Sequence, residues 1–96
     1  MNKKLVVLGI GISGLGVANL AFNKGFKVFV SDIGAINQKI KKQLDNLKIF
    51  WEENTSEATC LNDANYLIKS PGVPDNSPTV LKAKYLEIPV ISEIEF

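Results

Sequence analysis

VVLGIGISGLGVANL, residues Val6–Leu20, joins an apolar run to three glycines at Gly9, Gly11 and Gly14. Leu5–Leu8 is an unbroken run of Leu and Val, the pattern of a parallel strand buried on both faces. The glycines follow as G-x-G-x-x-G, with an apolar strand before them and a helical pattern after them. Gly9 allows a tight turn, Gly11 lets a phosphate approach the backbone, and Gly14 lets the helix pack closely on the strand. Ser13 is the expected cap of a helix running to about Lys24, with Val17, Leu20 and Ala21 on one stripe and Gly25 as its stop. The free amides and dipole of the first helical turn, around Ile12, Ser13 and Gly14, favour an anion. A structural glycine turn is the alternative.

Outward from this stretch the chain alternates strand-like and helix-like segments. Lys27–Ser31 reads as a second strand ending at Asp32. Asn37 caps a helix whose Ile40, Leu44 and Leu47 share one face, which puts Lys39, Lys41 and Lys42 on a solvated face. Ile49–Trp51 is a third strand. Thr55 opens an expected short helix through about Leu61, and Tyr66–Lys69 is a fourth strand. Ser77 and Pro78 form an N-cap with proline at the first helical position, for a helix reaching about Tyr85. Pro89–Ser92 is a fifth strand. The expected fold is therefore α/β: a Rossmann-like, five-stranded parallel sheet in the order 3-2-1-4-5, with helices on both faces. In such a sheet ligands bind beyond the carboxyl ends of the strands, where Gly9–Gly14, Asp32–Ala35 and Ser70–Asp75 converge.

Composition narrows the chemistry. The 96 residues make one domain with room for a single core. Net charge is +1, so nothing electrostatic points to nucleic acid. All 11 basic residues are Lys, so phosphate must be met by backbone amides or Lys point charges rather than an Arg fork. There is no His, which removes His-dependent nucleophile systems and the usual zinc sites. Cys60, the one cysteine, reads as a small buried residue and fits a reducing compartment. The N-terminus has a basic start and an apolar run like a signal peptide. Its glycines, Ser13 and Asn19 argue against that, and against a membrane span.

Asp32 lies 18 residues beyond Gly14. A carboxylate there can accept from ribose hydroxyls of a dinucleotide, accept an N–H from a nucleobase, or satisfy nearby backbone. In IKSPGVPDNSP, Pro71 stiffens the chain before Gly72, so the Gly72 amide can be offered to a phosphate oxygen beside the Ser70 hydroxyl. An ordinary turn has the same composition.

GIGISGLG, VSD, IKSPGVPDNSP and IPVISEIEF together resemble the N-terminal domain of the Mur ligases, over essentially all 96 residues. SPG and SEIEF resemble the D-glutamate-adding branch rather than the alanine-adding one. The resemblance implies a site for UDP-N-acetylmuramoyl-L-alanine. Gly11, Ile12, Ser13 and Gly14 would lie at the diphosphate and uridine edge, and Asp32 would accept from the uracil N–H with Ile33 beside it. Ser70, Pro71 and Gly72 would line the diphosphate and muramoyl end. The family often carries a hydroxyl residue and then a basic one after the aspartate, where this chain has Ile33 and Gly34, so uracil loses a hydrogen bond and a stacking cation.

The resemblance further implies a cytoplasmic, ATP- and magnesium-dependent amide ligase of peptidoglycan synthesis, with no nucleic-acid partner and no membrane insertion. Its ATP-binding and C-terminal domains are not expected within residues 1–96, because no G-x-x-x-x-G-K-[ST] occurs here. The segment reads as an excised N-terminal domain partnered by the rest of its chain. It would hold substrate without a catalytic residue, a metal or a cofactor, and Glu93 and Glu95 would be helix-start or interdomain residues. An NAD-binding module of a dehydrogenase or regulatory protein is the alternative. A receiver-like domain is disfavoured, since glycines stand where an acidic pocket would follow strand 1.

Overall fold

The structure, a computed structural model, describes residues 3–59 and 61–92, with the backbone alone at Ile12 and Ser13. Five strands, β1 (Lys4–Leu8), β2 (Lys27–Ser31), β3 (Phe50–Glu52), β4 (Tyr66–Lys69) and β5 (Val90–Ser92), form one parallel sheet in the order β3-β2-β1-β4-β5. The central strand explains the arrangement. Leu5 and Val7 face one core with Val28, Val30 and Ile68, while Val6 and Leu8 face the other with Leu67. All four β1 side chains from Leu5 to Leu8 are at most 1% exposed, as a strand covered on both faces requires.

Helices α1 (Ile12–Asn23) and α2 (Gln38–Asn46) cover the first face, and α3 (Pro78–Tyr85) covers the second. The expected strand order and helices on both faces are present. Asn37 caps α2 by accepting the Lys39 N–H at 2.8 Å, and Leu44 is fully buried beneath that helix, worth about 2 kcal/mol of transfer free energy. Gly25 ends α1 with φ +91°, a backbone conformation that favours glycine.

Several sequence expectations need correction. Gly11, not Ser13, is the N-cap of α1, so Ser13 lies inside the first turn. Leu20 is 44% exposed, because the buried stripe of α1 runs through the small residues Ala18 and Ala21. β3 and β5 each begin one residue later than expected. No helix follows Thr55: the described residues of the β3–β4 connection are loop. Side chains there take donors that a helix would use on itself. The Glu52 carboxylate accepts both the N–H and the hydroxyl of Thr59, and the buried Thr79 hydroxyl of α3 accepts the Ala58 N–H at 2.9 Å. Ala58 and Leu61 still reach the core beside Val80 and Ala83, doing the covering work of the absent helix. Lys41 is not part of a simple solvated face, since it pairs with Glu53 and lies over the Trp51 ring. Cys60, Glu93 and Glu95 lie outside the described residues.

Candidate functional site

Three loops leave the carboxyl ends of β1, β2 and β4, and they are bonded to one another. Gly9 has φ +83°, and its amide donates to the Ser31 carbonyl at 2.8 Å. A Cβ at this position would sit 3.0 Å from Val73 Cγ2 and 3.1 Å from Ser70 Cβ, so the first and third loops touch where only glycine fits. Gly11 is exposed in extended backbone, with no atom within 4 Å of a Cβ built there. It opens α1, whose first amides, at residues 12–14, have no carbonyl a turn earlier. Gly14 is buried, in keeping with its expected packing role.

The half-buried Asp32 carboxylate ties the first loop to the second. One oxygen accepts the Ile10 N–H at 2.9 Å, and the other accepts the Gly34 N–H at 3.0 Å. Of the three roles open from sequence, satisfying nearby backbone is thus present, and it joins two loops rather than serving one. Ile33, the next residue, is an exposed hydrophobic at 46%. The Ser31 hydroxyl, just before Asp32, is fully buried without a hydrogen-bond partner among the described residues.

Glu53 closes the far side of the second loop. It accepts the Ile36 N–H at 2.9 Å and Lys41 Nζ at 2.7 Å. The Lys41 hydrogen bond, followed by that of the Ile36 amide, holds its carboxyl below the usual carboxylate range. A carboxyl lowered by folding stabilises the fold above its unfolded value and loses that contribution as pH falls through the lowered one. Glu53→Gln should therefore cost stability at neutral pH, and the gap from the unsubstituted protein should narrow as pH falls below the ordinary carboxylate value of 4.5. Urea midpoints across this range check the prediction, and a gap that stays constant would contradict it.

In the third loop the Ser70 amide donates to the Leu8 carbonyl at 3.1 Å, and the Val73 amide returns to the Ser70 carbonyl at 3.0 Å. Pro71 and Gly72 form the exposed tip of that turn. No atom lies within 4 Å of a Cβ built on Gly72. The sequence-derived candidates thus stand on three adjoining loops and, for Ile12, Ser13 and Gly14, on the first turn of α1 that the first loop opens, all at one end of the sheet. Sequence reasoning passed over Ser31, Glu53 and Lys69, the last of which lies beneath the third loop. None of them belongs to a spacing motif, and the contacts made by Glu53 span 12 and 17 residues. The amides named above at Gly9, Ile10, Gly34, Ser70 and Val73 are spent within the protein, whereas the first amides of α1, at residues 12–14, have no intrahelical acceptor and can hold an anion and orient it.

Comparison with known proteins agrees with this fold. The sequence model described as Mur ligase MurD-like, N-terminal domain, matches residues 3–92. A UDP-N-acetylmuramoylalanine--D-glutamate ligase of Bacteroides thetaiotaomicron is 50% identical over 94 residues, covering 98% of this chain and 21% of the relative. The protein of the same name from Christiangramia forsetii is 46% identical, covering 100% of this chain and 22% of the relative. The crystal structure of UDP-N-acetylmuramate:L-alanyl-gamma-D-glutamyl-meso-diaminopimelate ligase from Neisseria meningitides superimposes with a TM-score of 0.82 at 25% identity, over 97% of this chain and 29% of that one. The chain spans about a fifth of the length of the curated relatives it matches. From the family match across nearly all of its length, the chain belongs to the Mur ligase family, as a MurD-like N-terminal domain.

Proposed function

We propose that this domain binds UDP-N-acetylmuramoyl-L-alanine for a ligase that attaches D-glutamate in peptidoglycan synthesis. The observation that carries the reading is the joining of the three loops at one edge, through Asp32 and the Gly9 contact, beside the open first amides of α1, in a chain whose relatives bear that ligase name. The amides at Gly11, Ile12, Ser13 and Gly14 face the diphosphate, and Ser70, Pro71 and Gly72 line its muramoyl side. Asp32 keeps lone pairs on both oxygens, enough to accept the uracil N–H while holding its two backbone partners. Ile33 supplies apolar contact beside the base.

The domain contributes binding energy and orientation, so that the remote UDP end fixes where the reacting carboxylate lies. ATP and magnesium have no assigned residues here. The sequence lacks G-x-x-x-x-G-K-[ST], and no three potential metal ligands gather among the described residues. In the longer ligase those groups would activate the terminal L-alanine carboxylate. No helix among the described residues is long and apolar enough to cross a membrane, which is compatible with a cytoplasmic enzyme.

Calorimetric titration with UDP-N-acetylmuramoyl-L-alanine, UDP and NAD tests the reading. Tighter binding of NAD than of either uridine ligand would overturn it in favour of a dinucleotide module. Gly72→Val adds a second arm. With open space around Gly72 the variant should fold with little change in stability, yet lose at least about tenfold in UDP affinity as the branched side chain covers the turn amide. Full affinity in the folded variant would remove the third loop from the ligand.

A further inference from the structure

Lys69 ends β4 directly below the third loop, with its side chain only 15% exposed. Its ammonium reaches three oxygens spread along that loop: the Val73 carbonyl at 2.8 Å, the Asp75 carboxylate at 3.3 Å and, more weakly, the Ser70 carbonyl at 3.5 Å. One cation therefore grips the beginning, middle and end of residues 70–75. Val73 in turn bonds to Ser70 and packs against the Gly9 turn. Lys69 is the single cation in the three loops and the strand ends that feed β1, β2 and β4 into them. The usual reading of such a lysine is a point charge for phosphate. Here its three protons already have acceptors within the protein.

We propose that Lys69 is a positioning residue for the ligand's diphosphate. It staples the Ser70–Asp75 loop so that the Ser70-Pro71-Gly72 turn is preorganised, and it draws the Asp75 carboxylate away from an incoming anion. It does not touch the phosphate. The inference rests on the diphosphate reading given above. Preorganisation of this kind raises affinity by lowering the ordering cost of binding, and a loosened supporting shell forfeits it.

The test compares the protein with Lys69→Met, Lys69→Arg and Asp75→Asn, using UDP as the titrant and amide hydrogen exchange as the report on the loop. Lys69→Met keeps the aliphatic stem and should remain folded. Its UDP affinity should fall about ten- to a hundredfold, and exchange at the Val73 amide should rise at least about tenfold as the turn opens. Lys69→Arg can still bond to the Val73 carbonyl and Asp75, and should return both readouts most of the way. Asp75→Asn should weaken UDP less than Lys69→Met, because the two carbonyl contacts persist. Unchanged Val73 exchange in Lys69→Met would overturn the proposal, and lost affinity beside it would identify the ammonium as a direct phosphate ligand. A loosened loop with undiminished UDP affinity would also overturn it. Absence of UDP binding in the unsubstituted protein, with faster Val73 exchange in Lys69→Met, would leave the staple standing and remove the diphosphate reading instead.

Discussion

Gly9→Ala should destabilise the protein by about 2–5 kcal/mol, a larger loss than the same change at Gly11, Gly34 or Gly72. Two costs combine. A residue with a side chain at φ +83° pays about 1–2 kcal/mol for left-handed backbone. The added Cβ would also stand 3.0 Å from Val73 Cγ2 and 3.1 Å from Ser70 Cβ, tight enough that the third loop must give by a few tenths of an ångström, and such overpacking costs about 1–3 kcal/mol. The third loop would have to retreat from the first, so UDP affinity should fall with stability. Gly11→Ala is the control. Its backbone is extended and no atom lies within 4 Å of the new Cβ, so its change should stay within about 1 kcal/mol. Urea unfolding of both variants measures this. Equal effects at the two positions would contradict the contact between the loops.

Asp32→Ala should weaken UDP by roughly a hundredfold while leaving a folded protein. The substitution frees the Ile10 and Gly34 amides together, so the glycine loop and the second loop lose their shared anchor. Two charge-assisted hydrogen bonds vanish, and any bond from the carboxylate to the uracil goes with them. Asp32→Asn separates these contributions. Its single carbonyl oxygen can still accept one of the two amides, so its loss should be smaller. A melting curve confirms folding, and calorimetry gives the affinity. If Asp32→Ala binds UDP as well as the unsubstituted protein, Asp32 serves the fold alone and the second loop lies off the ligand.

Much of the architecture was readable because it rests on local patterns. The buried run at Leu5–Leu8, the glycine loop after it, and the caps Asn37 and Ser77-Pro78 each announce an element within a few residues. Strand order followed from the position of the glycine loop beside the first strand. The expected helix after Thr55 failed for the opposite reason. What determines that connection is Thr79 meeting Ala58 across 21 residues and Glu52 meeting Thr59 across seven. No local periodicity records either bond.

The same distinction runs through the site. Glycine and proline declare their backbone roles in sequence, and Gly9, Gly11, Asp32 and Ser70-Pro71-Gly72 do converge on one end of the sheet. The groups that hold these loops in place were not legible. Asp32 holds Ile10 across 22 residues. Glu53 reaches Ile36 and Lys41 across 17 and 12 residues. Lys69 is close in sequence to its partners, but a lysine at the end of a strand has no signature that separates a staple from a phosphate ligand. Its burial and its three acceptors supply that distinction.

Whether the three loops form one site for a UDP-linked precursor can be read from amide chemical shifts during titration with UDP-N-acetylmuramoyl-L-alanine. The largest shifts are expected together at Ile10–Gly14, Asp32–Gly34 and Ser70–Val73 (apart from Pro71, which has no amide), with smaller changes across α2 and the β3 edge. Shifts confined to one loop, or centred away from the carboxyl ends of β1, β2 and β4, would contradict a single site there.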